Sequence, residues 1–440
     1  MVVTIVVLLI LAGVSISLLL DENGIIKKSK DARREYGTSK TNEQEQMDNA
    51  NDWIEEATGK VTLAKVPVGT KASKNGTING EEGNSNNPTI PKNYIPIDTA
   101  TSTWGDGSTA PSQDSVKHGL VIKDEKNNEW VWVPVDSTTL ATMYEESSDE
   151  KTLCGTTGET AVKTKLYSKS ITIGTDSNKK TWSRTTPGKT SYREPDLVVG
   201  GNGLNYDAYY KTILGKNATK EELAQLFVED YKEMIESIQK YGGFYIGRYE
   251  LSAAGVQKNQ PTLVYTNWYN LYKKCKELNA SDKVETRMIW GCQWDVTMNW
   301  LISSGAKTSN EVNTDSSSWG NYKGTSVKAD DGTTEIKASE DAQVLNTGKT
   351  TFTMANNIYD LAGNVWEWTQ EAYSTDRRDG RGGGCSIDGS SRPASYRSGY
   401  SPSYSGDSIR FSSHFNNKVI LDSRAWAPME RIIGPVNYFV

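Results

Sequence analysis

The 440-residue chain has little of what most catalytic chemistry uses. It holds two histidines, His118 and His414, far apart in sequence. That argues against a His-rich metal centre, and nothing marks a Ser-His-Asp triad. Its four cysteines, Cys154, Cys275, Cys292 and Cys385, show no CxxC spacing. A zinc site is therefore not expected. One or two disulfides would suit an exported domain, and spacing assigns no pairs. There is no run of five basic residues, and the net charge is only -6. A nucleic-acid partner, whose phosphates demand a concentrated Lys/Arg face, is not expected. Phenylalanine is scarce, at 6, against 13 Trp and 22 Tyr. Amphipathic aromatics suit either a recognition surface or the core of a loop-rich fold. Apolar residues reach 36%, low for one compact globule, so part of the chain should be linker or exposed loop.

One long apolar run is present. Val2 to Leu20 is interrupted only by Thr4, Gly13, Ser15 and Ser17. About 20 helical residues span a bilayer core, so residues 2–20 are expected to contact a membrane. A cleaved signal peptide is the rival, but no basic residue precedes the run and no clean Ala-x-Ala site follows it. Lys27, Lys28, Lys30, Arg33 and Arg34 lie just after it. The positive-inside rule alone would then leave the C-terminal part in the cytoplasm. The run Met1 to Val14 also resembles the hydrophobic helix of type IV pilin-like proteins of Gram-positive bacteria. That family opens with a basic leader, a cleavage Gly and a Glu, which do not stand here; a start placed at an internal Met would account for this. The resemblance implies a bacterial cell-surface location, membrane-anchored or in a pilus-like fibre.

Residues 1–58 thus read as anchor and helical stalk. Residues 59–116, rich in Asn, Thr, Ser, Gly and Pro, read as a flexible linker. A folded α+β domain is expected over 117–415. Its strands begin at Gly119-Leu120-Val121-Ile122 and Glu129 to Val135, joined by a turn over Asp124 to Asn128. The mostly polar stretch 146–218 reads as an insertion. Lys220 to Tyr241 is the clearest helix, with a Thr219/Glu222 capping box and Gly242-Gly243 as its stop. Strand Phe244 to Glu250, a helix from Trp268 to Leu278, and a third helix after Gln293 follow. Strands and helices do not alternate as βαβ units. Residues 416–440 form an extension whose Trp426, Ile432, Ile433 and Phe439 are too apolar for a free tail.

Four stretches in order resemble the formylglycine-generating enzyme (sulfatase-modifying factor) family. They are Trp130 to Val135, Gly243 to Glu250, Met288 to Asp295, and Asn357-Ile358-Tyr359-Asp360-Leu361-Ala362-Gly363-Asn364-Val365-Trp366-Glu367-Trp368. The last is the most specific. Arg381 to Cys385, Pro393 to Arg397 and Ser408-Ile409-Arg410 match weaker closing motifs, with Arg397 and Arg410 as structural arginines. The resemblance implies a C-type lectin fold with irregular loops. It also implies a structural Ca²⁺ held at Gly363, Val365 and Glu367. A carboxylate beside turn carbonyls suits a hard cation, although Glu367 could equally bond local backbone. The family's oxidase holds copper(I) on a C-terminal cysteine pair. Only Cys385 stands in that region, so no copper and no formylglycine-forming catalysis are expected. The oxidase and a structural pilin-like subunit are the alternative readings.

The segment Glu371 to Phe415 has its own composition. Ser, Gly, Tyr and Arg fill roughly two thirds of it, and Asn is absent. Such a mixture resembles antibody paratopes, with rigid aromatic anchors among adaptable small polar residues. Diversity-generating retroelements diversify such a segment in proteins of this fold, turning Asn codons into Ser, Gly, Asp, Tyr, Arg, Cys or His. Cys385, Ser386, Asp388, Ser390, Ser391, Arg392, Ser398, Tyr400, Ser403, Tyr404, Asp407 and Ser408 fit that palette. They are expected to form a variable face for a protein or glycan ligand.

Overall fold

The computed structural model describes residues 84–405, apart from 92, 106–109, 154–155, 157, 185–192, 199–210, 216–217 and 279–283; of 61–63, 415–416 and 419–423 it describes the backbone. The anchor and stalk over 1–58, Cys154, Asp407, Ser408, Arg410, His414 and most of the 416–440 extension lie outside the described residues. So does the first half of the expected linker. Among the described residues no helix is long and apolar enough to cross a membrane. All of them but Val61 and Thr62 belong to one compact unit, 63–440.

That unit is mixed α+β, with several antiparallel sheets. From Ile95 onward the main sheet runs in the order Ile95–Thr99, Val121–Lys123, Glu129–Pro134, Gly243–Gly247, Val419–Ser423, Val284–Met288. Every neighbouring pair in that series is antiparallel. A second sheet places Arg397–Tyr400 beside Arg377–Arg381, then Trp366–Ser374, then Phe415–Asn416, the last pair parallel. Two-stranded hairpins complete the architecture, among them Tyr144–Thr152 with Lys163–Ser168 and Ile171–Ile173 with Lys180–Trp182.

Local chemistry explains the helices. Lys220–Tyr241 begins at a capping box in which the Thr219 hydroxyl accepts from the Glu222 N–H and the Glu222 carboxylate accepts from the Thr219 N–H. It stops at Gly242, whose φ of 75° only glycine adopts without strain. Its inward face carries Leu223, Phe227, Tyr231, Met234, Ile235 and Ile238. Helix Trp268–Leu278 stands where the pattern predicts it. Helix Gly291–Ser303 starts two residues ahead of Gln293, because the Gln293 side chain accepts from the Trp290 N–H and closes the first turn.

One boundary differs from the sequence reading. The linker expected over 59–116 is folded from residue 84 on. Ile90, Tyr94, Ile97 and Trp104 are buried, and the Trp132 and Tyr245 side chains donate to the carbonyls of Ser85 and Thr89. Sparse apolar residues among Asn, Thr and Pro hide this strand, in which only Ile97 and Thr99 are buried. The stretch 146–218, read as an insertion, is an integral part of the domain. Its hairpins pack on the domain, and Tyr167, Ile171, Ile173, Arg184 and Glu194 are buried.

Candidate ligand-binding face and the charges beneath it

The signature turn organises the site. Gly363 has φ +71°, and a Cβ there would fall 2.3 Å from the Asn321 carbonyl oxygen. Only glycine allows that approach. Asn364, also left-handed at φ 59°, is wholly enclosed. Its side-chain oxygen accepts from the Asn321 amide and the Leu345 N–H, both at 2.9 Å. Its amide donates to the Glu250 carboxylate at 2.7 Å. Backbone bonds run from Gly363 N–H to Gly382 O, from Asn364 N–H to Asn321 O, and from Cys385 N–H to Asn364 O. One tight turn thus gathers four separate stretches of chain.

From this turn the strand Trp366–Ser374 enters the second sheet. Trp366, Glu367 and Trp368 are all fully buried, so both faces of the strand are covered. The register then sets Arg381 opposite Glu367 and Arg397 opposite Arg381. Beneath this sheet lies a buried charge network. Arg184 bonds Glu371 at 2.8 Å and Asp295 at 2.6 Å, with Glu194 at 4.0 Å. Arg381 pairs with Asp295, and lies 3.6 Å from Glu371 and 3.8 Å from Asp379. Arg397 pairs with Glu371 and, at 2.7 Å, with Asp379. Glu194 also accepts from the N–H groups of Gly291 and Cys292, at the positive end of helix Gly291–Ser303. Gly291 is needed there, since a Cβ would fall 2.1 Å from a Glu371 oxygen.

Three guanidiniums thus face four carboxyls, and the environment divides those acids. Burial pushes Glu194 above the usual carboxylate range, against the pull of Arg184. Asp379 also rises, through burial first, with Arg397 pulling it down and the Glu371 charge adding to the rise. Burial works the same way on Glu371, but Arg184, Arg397 and Arg381 together outweigh it and hold its carboxyl low. Removing one member of such a network strands a charge in the interior, which costs several kcal/mol, roughly 3–5.

The outer side of the same sheet and its adjoining turns carry the Ser/Tyr/Arg-rich residues. Asp388, Ser390 and Ser391 are exposed. Ser386, Arg392, Ser398, Tyr400, Ser403 and Tyr404 are half-buried. The Arg392 guanidinium covers the Tyr396 ring at 4.3 Å, joining the turn 388–392 to the strand Arg397–Tyr400. Tyr400 and Tyr404 stack at 6.0 Å, and Tyr400 rests edge-on against Trp366 and Trp368. Trp182, from the hairpin within 146–218, meets Tyr396 edge-on at 6.3 Å. Nine of the expected face residues, from Ser386 to Tyr404, are thus exposed or half-buried, while Asp407 and Ser408 lie outside the described residues.

Cys385 is a correction. It is 1% exposed and cannot belong to an accessible face. The bond from its N–H to the Asn364 carbonyl draws it under the signature turn. Burial pushes its thiol up to about 11, with Lys337 opposing. Cys275 and Cys292 are likewise buried. At the expected cation site, Glu367 is buried among backbone. One of its carboxylate oxygens lies 2.4 Å, and the Leu361 carbonyl oxygen 3.1 Å, from where a Cβ on Gly382 would stand. Among the described residues no group of three or more His, Cys, Asp and Glu is placed to hold a metal ion.

Sequence reasoning missed Trp182, Arg184, Glu194, Asp295 and Glu371 as supports of this site. Apart from the neighbours Trp182 and Arg184 they come from separate segments, and no local spacing marks them.

No family model matches the chain, and no curated protein sequence matches it. Among solved structures, Treponema denticola variable protein 1 is similar at 13% identity, over 68% of this chain and 96% of that chain, with a TM-score of 0.21. A TM-score that low transfers neither site nor function, so the assignment rests on the geometry above.

Proposed function

We propose that residues 386–404 form the ligand-binding face of a recognition protein built on a formylglycine-generating-enzyme-like scaffold of the C-type lectin class. The observation that supports this is the division of labour across one sheet. Its inner side is locked by Arg381, Arg397, Glu371 and Asp379, while Ser398 and Tyr400 at its edge and the turn residues Asp388, Ser390, Ser391 and Arg392 stay half-buried or exposed. Outer side chains can then vary without disturbing the fold, the arrangement a diversified segment requires. The protein acts by binding and not by catalysis. A copper-loaded oxidase needs accessible paired thiolates, whereas Cys385 is enclosed and its thiolate disfavoured. Display at the cell surface through the apolar segment 2–20 is part of the same reading. Glu367, with backbone oxygens at Gly363 and Val365, would hold a structural Ca²⁺ that stiffens the signature turn.

The test is binding of the full chain to protein and glycan arrays, repeated with residues 386, 388, 390–392, 398, 400, 403 and 404 scrambled among themselves. Loss of binding with an unchanged melting temperature supports the face. Binding that survives scrambling overturns it, as would copper- and oxygen-dependent conversion of a cysteine peptide.

A further inference from the structure

Tyr265 lies outside the Ser/Tyr/Arg-rich segment, yet it is 56% exposed, the most exposed large hydrophobic side chain among the described residues. Its φ is +58°, where a bulky non-glycine side chain is a genuine outlier. Holding a tyrosine there is strained, and such strain collects where a side chain is used. Its loop is fastened to the proposed face. The Trp268 N–H donates to the Pro402 carbonyl at 3.0 Å, inside the turn that carries Ser403 and Tyr404. Arg378, opposite Tyr400 in the sheet, lays its guanidinium over the buried Trp268 ring at 4.6 Å.

We infer that Tyr265 is a constant anchor at the rim of that face, and that the face receives a protein surface. This rests on the proposed binding role of residues 386–404. The choice of partner follows from how the rings are arranged. A sugar ring stacks on a bare aromatic face. Here the Tyr396 face is covered by Arg392, Tyr400 and Tyr404 cover each other, and Trp366 and Trp368 are fully buried. What is left exposed is Asp388, Ser390 and Ser391, with half-buried Ser, Tyr and Arg beside them and one exposed Tyr at the rim, the make-up of protein-recognising surfaces. A fixed aromatic beside variable positions supplies affinity that does not depend on their identity.

The experiment uses the full chain and a phage-displayed library of small folded domains randomised on one surface. Independent binders are measured against the wild type, Tyr265→Ala and Tyr404→Ser, and each variant is also placed on a glycan array. Most binders are expected to lose about tenfold or more in affinity with either substitution. Loss with Tyr404→Ser but not with Tyr265→Ala overturns the anchor and leaves the face standing. Loss with Tyr265→Ala alone overturns the shared surface. Insensitivity to both overturns the face itself. Glycan binding that weakens with Tyr265→Ala overturns the choice of a protein partner. Tyr265→Gly, which relieves the strained φ, is expected to melt no lower than the wild type; a lower melting temperature would mark Tyr265 as structural.

Discussion

The Asn364 side-chain amide donates to the buried Glu250 carboxylate at 2.7 Å, so the most recognisable turn in the chain is bolted to a strand end more than a hundred residues earlier. The same side chain accepts from Asn321 and Leu345. An asparagine is suited twice over, by its tolerance of positive φ and by having donor and acceptor on one group.

Asn364→Ala is therefore expected to destabilise the domain by roughly 3 kcal/mol or more, because it strands several buried partners and strains the backbone. Asn364→Gly restores the backbone freedom and should recover only a minor part. Thermal melting of the two variants separates the contributions. Equal and small losses would show that the side-chain bonds do not matter.

Arg397→Leu leaves Glu371 and Asp379 short of a counter-charge in an enclosed site. A loss of roughly 3–5 kcal/mol is expected. Arg397→Lys should not rescue it, since one ammonium cannot span both carboxylates as the guanidinium does. Denaturant midpoints of both variants check this.

The outer positions predict the reverse. Changing the exposed Asp388, Ser390 and Ser391 to other polar residues should shift stability by no more than about 0.5 kcal/mol each. A triple variant melting several degrees lower would show that this surface is structural.

Stability should depend on pH through Glu194, whose carboxyl burial pushes up to about 7 from an ordinary 4.5. Between those values the unfolded chain has released a proton that the native state retains, so stability falls as pH rises. This contribution is fully present below about 4.5 and gone by about 7. Glu371 acts in the opposite sense. Held low by three arginines, it contributes stability above its unfolded value that is lost as pH falls toward its native one. The melting temperature of the wild type should therefore decline from about pH 5 to pH 7 more steeply than that of Glu194→Gln. Parallel curves would remove Glu194 from this role.

If Glu367 with backbone oxygens at Gly363 and Val365 holds Ca²⁺, added Ca²⁺ should raise the melting temperature of chelator-treated protein, since a ligand that binds only the native state stabilises it. Glu367→Gln should abolish the increment. An unchanged melting temperature in millimolar Ca²⁺ would dismiss the cation.

The sequence by itself determined the elements whose causes are local. Helix Lys220–Tyr241 is legible because its caps and its apolar stripe lie within one stretch of chain. The turn at Gly363-Asn364 is legible because few residues tolerate positive φ. The composition of 371–415 marked the segment as unusual without showing which side chains face outward, and so Cys385 was misplaced. Only the tertiary structure decided that. It also showed that strand Ile95–Thr99 belongs to the main sheet and that Arg184 and Glu194 from the supposed insertion meet Asp295 and Glu371 in the interior. The physical reason is distance along the chain. A buried ion pair leaves no periodicity and no motif, because each charge is chosen to match a partner that only folding brings within reach. The scarcity of His and paired Cys excluded chemistries from the start; which surface is left to bind depends on how the sheet divides its inner charges from its outer hydroxyls.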